Sequence, residues 1–149
     1  MSDVERMVVV ALRPWGTSAM VRWLGLLGLT AAYLQGGLVK ASDFAGAVAE
    51  MTHFGLAPAS LLAVLVIVLE LGASVMILGG VGRWAGALAL GFFTLAATFL
   101  ANRYWEMSGV ERFMSANAFY EHLGLVGAFL LVACQDISKK YRSINGENE

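Results

Sequence analysis

The sequence predicts an all-α fold: an integral membrane four-helix bundle with short interfacial helices in its outer connections. Three observations predict it. Hydrophobic residues make up 58% of the 149 and charged residues only 14%, where soluble globular chains average about 45–50% apolar and about 25% charged. Four separate apolar segments approach the ~20 residues that cross about 30 Å of hydrocarbon. Small residues recur at helical spacing inside those segments, as close packing between helices in lipid requires.

Residues 1–21 form an N-terminal arm carrying Arg6 and Arg13. The first span runs from Trp23 to Val39, bracketed by Arg22 and Lys40. Its apolar run exceeds the ~7–15 residues of a signal-peptide core, and charged Lys40 and Asp43 follow, so it reads as a retained span. Residues 43–54 place Phe44, Val48 and Met51 on one helical face, with Asp43, Glu50 and His53 elsewhere. Ser42 or Asp43 can cap that segment, Gly55 can stop it and Pro58 lies just beyond. This is a short helix lying in the membrane surface. The second span covers about 60–80 and the third 84–101, joined by a glycine turn. Residues 102–121 alternate aromatic and charged side chains and read as an interfacial connection. The fourth span covers about 122–137, and 138–149 is a polar tail. Gly25, Gly28, Ala32 and Gly36, then Gly82 and Gly86, then Gly124 and Gly127, are the expected packing positions between spans.

Four spans put both termini on one side. That side collects Arg6, Arg13, Arg22, Arg83, Lys139, Lys140 and Arg142, against Lys40, Arg103 and Arg112 on the other. The excess of basic residues makes both termini cytoplasmic.

Composition also excludes. A formal net charge of −1 without a basic stripe excludes a nucleic-acid partner. The single cysteine, Cys134, excludes an intramolecular disulfide, a Cys-x-x-Cys redox pair and a thiolate-rich metal site. His53 and His122 are the only histidines, and neither has metal-ligand spacing, so no metal site is expected.

One residue stands against its surroundings. Residues 64–80 read VLVIVLELGASVMILGG, and the carboxylate of Glu70 falls near the midplane of that span. A charge there costs about 2.5–3.5 kcal/mol on insertion scales. A proton, a hydroxyl or amide on a neighbouring helix, or a polar cavity would each relieve it. Ser74, Tyr33, Gln35, Thr94 and Thr98 are the candidate partners. Lys40 is first a snorkelling anchor at the end of its span. It also follows Tyr33 and Gly36 on nearly one face, where it could meet an acidic or quinone-like headgroup. His53 and His122, both on the outer side, complete the candidate ligand-binding set.

Four stretches, in order, resemble the DoxX family of small four-span bacterial membrane proteins. GGLVK at 36–40 is similar to the end of that family's first span, and FGLAP at 54–58 to its lead-in to the second. LELGASVMILGGVGRWAG at 69–86 is similar to its glutamate-centred span, glycine turn and arginine. FYEHLGLVGAFLLVA at 119–133 is similar to its last span. The resemblance covers roughly residues 22–134. It implies that Glu70 and Lys40 are the family's polar membrane residues, and it implies a small subunit supporting quinone-linked redox chemistry in a membrane oxidoreductase complex. The chain offers no ligands for an electron-transfer cofactor of its own, so electrons would come from a partner protein and the quinone would be the bound molecule. Self-association is left open. A proton-coupled small-molecule transporter and a structural assembly factor without ligand are the alternatives.

Overall fold

The structure, a computed structural model, describes residues 1–146. Six α-helices follow one another: α1 (Asp3–Gly16), α2 (Ala19–Ser42), α3 (Phe44–His53), α4 (Ala59–Gly79), α5 (Arg83–Ala101) and α6 (Gly109–Ile144). A 3₁₀ turn at Tyr104–Glu106 links α5 to α6. α4 packs between α2 and α5, α5 packs on α6, and α3 lies across α4.

Local chemistry sets the helix ends. Ser2 and Glu5 form a reciprocal capping box at the start of α1. Ser18 caps α2, and Asp43 closes α2 and caps α3 by accepting from the Gly46 N–H at 3.0 Å. The short helix expected between the first two spans is therefore present as α3. The α4–α5 turn uses left-handed Gly80 (φ 80°) and Gly82 (φ 63°), a region that side chains disfavour. Gly82 supplies no capping side chain, so Asp136 of α6 does the work by accepting from the Trp84 N–H at 3.2 Å. Arg83 Nε donates to the Ile77 carbonyl at 2.8 Å and satisfies the end of α4.

The main core joins Leu26 and Tyr33 of α2, Ala73 and Ile77 of α4, Ala87 and Leu90 of α5, and Phe129 and Ala133 of α6. A second cluster, Ala47, Met51 and Ala63, seats α3 on α4. Outside this core the apolar surface continues. Leu61, Val64, Leu65, Val68 and Val75 of α4 are exposed, as are Phe92, Phe99, Leu130 and Leu131. A contiguous apolar exterior of this kind faces lipid.

Three differences from the expected layout have physical reasons. Helices α4, α5 with its following turn, and α6 are long and apolar enough to cross a membrane. α2, with 24 residues, is long enough, but Thr30, Gln35, Gly36, Gly37 and Lys40 dilute its apolar run. Residues 109–121 are not a loose connection. They are the first turns of a 36-residue α6, and Phe119 and Tyr120 anchor that part on Tyr104 and Trp105. Of the expected packing glycines, Gly86 is tightly enclosed, while Gly25, Gly28, Gly124 and Gly127 have open space where a Cβ would stand. α6 also takes in residues 138–144 of the expected 138–149 tail, and residues 147–149 of that tail lie outside the described residues.

Candidate functional site

Glu70 sits midway along α4 on the face turned to α2, with its side chain 7% exposed. None of the hydroxyl or amide groups expected to relieve it reaches its carboxylate. Ser74 Oγ donates to the Glu70 backbone carbonyl at 2.6 Å instead, the local back-bond that helical serines favour. Thr94 Oγ donates to the Leu90 carbonyl at 2.6 Å and accepts from the Tyr33 hydroxyl. Gln35 is exposed: two residues beyond Tyr33, it lies on the opposite face of α2.

The partner is Lys40. Its ammonium lies 3.4 Å from both carboxylate oxygens of Glu70 and 3.9 Å from Glu50 Oε2 on α3. Lys40 is thus more than a surface anchor: it bends inward and serves two carboxylates. Gly36, one turn before it, lies directly beside the pair: a Cβ there would stand in ordinary contact, 3.5–3.6 Å, with the Lys40 ammonium and both Glu70 oxygens. The Coulomb attraction at this distance is roughly 5 kcal/mol at an effective dielectric of about 20. Desolvating two ions costs several kcal/mol each. The two nearly cancel, so the pair is a poor device for stability alone.

The three charged groups open onto one cavity of about 490 Å³ lined by α2, α3, α4, α5 and α6. Its walls are mostly apolar: Met51, Phe54, Val66, Phe93, Leu100 and Leu125. Tyr33 closes the inner end, bonded to Thr94 and set edge-on to Phe129 with ring centroids 5.4 Å apart. His122 lines the far wall. Its Nδ1 meets the Thr98 hydroxyl and lies 3.1 Å from Asn102 Nδ2.

The structure therefore brings Tyr33, Lys40, Glu70 and His122 around one cavity and leaves Gln35 and His53 outside it. His53 is exposed against Phe54, two residues from the buried Met51 and so on the outer side of α3. Sequence reasoning missed Glu50 as a member. The signal was present in its position on the polar face of an amphipathic segment that follows Lys40 closely. It also missed Asp136, which works at the other end of the fold. Among the described residues no group of three or more His, Cys, Asp or Glu side chains could hold a metal ion.

The chain can now be set beside known proteins. The DoxX family model matches residues 23–103, just over half of the chain, from α2 through the end of α5. The inner membrane protein YphA of Escherichia coli strain K12 is 30% identical over 97 residues, spanning 65% of this chain and 69% of its own length. No solved structure matches. The matched region contains Tyr33, Lys40, Glu50 and Glu70, and the family's helical, membrane-embedded character agrees with the apolar exterior of the bundle. This chain belongs to the DoxX family of integral membrane proteins.

Proposed function

We propose that the cavity binds a small, largely apolar molecule with one polar end, and that this molecule is a quinone in the bacterial inner membrane. The observation that carries the reading is a buried Lys40–Glu70 pair facing a mostly apolar cavity of about 490 Å³. Apolar walls with a few convergent polar groups are the usual make-up of a small-molecule site. In this reading α2 crosses the membrane with α4, α5 and α6, and both termini are cytoplasmic. Lys40 attracts a quinone oxygen. Glu70 exchanges the proton that accompanies its reduction or oxidation, and a partner oxidoreductase supplies or takes the electrons. The relative YphA carries an inner-membrane name, which supports the compartment.

The test is Glu70→Gln, which keeps the shape and a hydrogen-bonding end but cannot exchange a proton. Helical content and detergent-solubilised size should be unchanged while quinone-linked oxidoreductase activity in membranes falls. Full activity in that variant refutes the proton role. A second reading, proton-coupled transport, draws on Glu50, which is half exposed and bonded through Lys40 to the buried Glu70. Proton-driven uptake into proteoliposomes without any redox partner would favour it over the first.

A further inference from the structure

α1 has no partner in the fold. None of its 14 residues is buried, and its packing is a slight contact with α2. At 100° per residue, Val4, Met7, Val8, Ala11, Leu12 and Trp15 fall on one face, with Arg6 and Arg13 opposite. That apolar face is laid bare along its length: Val4 is 67% exposed and Trp15 70%. A soluble helix would lose by showing such a stripe to water.

Its position says what covers the stripe. Only Thr17 and Ser18 separate α1 from α2, so α1 stays at the level where α2 begins. Arg22 and Trp23 open α2 there, and the α4–α5 turn and the end of α6 lie at the same end of the bundle. That end carries Arg13, Arg22, Arg83, Lys139, Lys140 and Arg142. Asp136, its buried acid, is already paired with Lys140 at 3.3 Å. Asp3 and Glu5 sit at the far tip of α1, where Glu5 is held in the capping box. A basic rim beside an apolar stripe with a tryptophan at its inner edge complements an anionic lipid headgroup layer.

We propose that α1 is a membrane-surface helix that lies in the headgroup layer of an anionic leaflet, with Val4, Met7, Val8, Leu12 and Trp15 turned into the acyl boundary. It lies outside the residues matched by the family model, and the proposal does not depend on what the cavity binds.

The experiment places a nitroxide label at position 6, 8, 9 or 12, one at a time, in the full chain carrying Cys134→Ser. The labelled protein is reconstituted in phosphatidylcholine vesicles with and without phosphatidylglycerol. Accessibility to oxygen, which concentrates in lipid, is compared with accessibility to a water-soluble nickel chelate. The expected result is a ratio several-fold higher at Val8 and Leu12 than at Arg6 and Val9, with the contrast growing when phosphatidylglycerol is present. Equal ratios at all four positions overturn the proposal, because the helix is then in water. Labels at Val8 and Leu12 that are immobile and shielded from both agents also overturn it, because a protein surface, a second copy included, then covers the stripe. A second variant, Leu12→Glu, should expose the Arg6–Met7 bond to trypsin in phosphatidylglycerol vesicles while leaving the rest of the chain intact; Arg13 precedes Pro14 and is not a trypsin site. Unchanged cleavage in that variant counts against the proposal too.

Discussion

Gly86→Ala tests how closely α4 and α5 must approach. A Cβ at Gly86 would lie 2.8 Å from the Ala73 carbonyl oxygen, 3.1 Å from Met76 Cβ and 3.3 Å from Ile77 Cγ1. Relaxed C···O contacts fall at about 3.3–3.6 Å, so the two helices must separate by about half an ångström. The nearest atom is backbone, which cannot rotate away. Ala87 and Leu90, next to Gly86 and one turn beyond it, are fully buried and would lose packing as the helices part. Overpacking of this kind costs about 1–3 kcal/mol. Replacing a helical glycine by alanine returns up to about 1 kcal/mol. Gly28→Ala isolates that second contribution, because nothing lies within 4 Å of its added Cβ. The difference between the two variants should therefore be about 1–3 kcal/mol, roughly a 5- to 150-fold difference in the folded-to-unfolded ratio. Unfolding by SDS in mild detergent micelles, followed by circular dichroism, measures both. Equal stability of Gly86→Ala and Gly28→Ala would refute the close approach of α4 and α5.

Three further outcomes follow from named contacts. Lys40→Met leaves the Glu70 carboxylate buried beside Gly36 without its cation and should cost about 3 kcal/mol, the low end for a broken buried pair because its contacts are long. Adding Glu70→Gln to that variant should recover most of the loss in the same SDS titration. Asp136→Ala removes the acceptor that caps α5 through the Trp84 N–H and should lower stability by about 0.5–2 kcal/mol in the same titration. Tyr33→Phe keeps the ring contact with Phe129 and loses one hydrogen bond to Thr94, whose hydroxyl still donates to Leu90. It should cost no more than about 1.5 kcal/mol, and thermal unfolding in detergent checks it.

What the sequence made legible was whatever a single segment decides by itself. Glu70 declared itself because one carboxylate in seventeen otherwise apolar or small residues has no local excuse. α3 was readable from its caps, and the α4–α5 turn from its glycines. Pairings between helices were not readable, because they depend on how each helix is rotated about its axis. Lys40 and Glu70 are thirty residues apart, and nothing local distinguishes Lys40 from Gln35 as the residue that faces α4. The start of α6 was hidden for a different reason. Charged and aromatic residues between 102 and 121 look like an interfacial loop. Yet the rings of Phe119 and Tyr120 gain a surface on Tyr104 and Trp105 only once the chain has turned back on itself. Asp136 was overlooked because a carboxylate near a span end reads as solvated, when here it is 5% exposed and bonded to a helix start that supplies no cap.

The length of α6 has a mechanical meaning. At 1.5 Å per residue its 36 residues extend about 54 Å, well beyond the hydrocarbon thickness of about 30 Å. The helix runs unbroken, without proline, from beyond the His122 contact with Thr98 to beyond the Asp136 contact with the start of α5. These two contacts lie about 21 Å apart along one rod. The stretch that carries His122 on the cavity wall and the stretch that carries the Asp136 cap of α5 are therefore parts of one continuous helix, with no loop or proline between them.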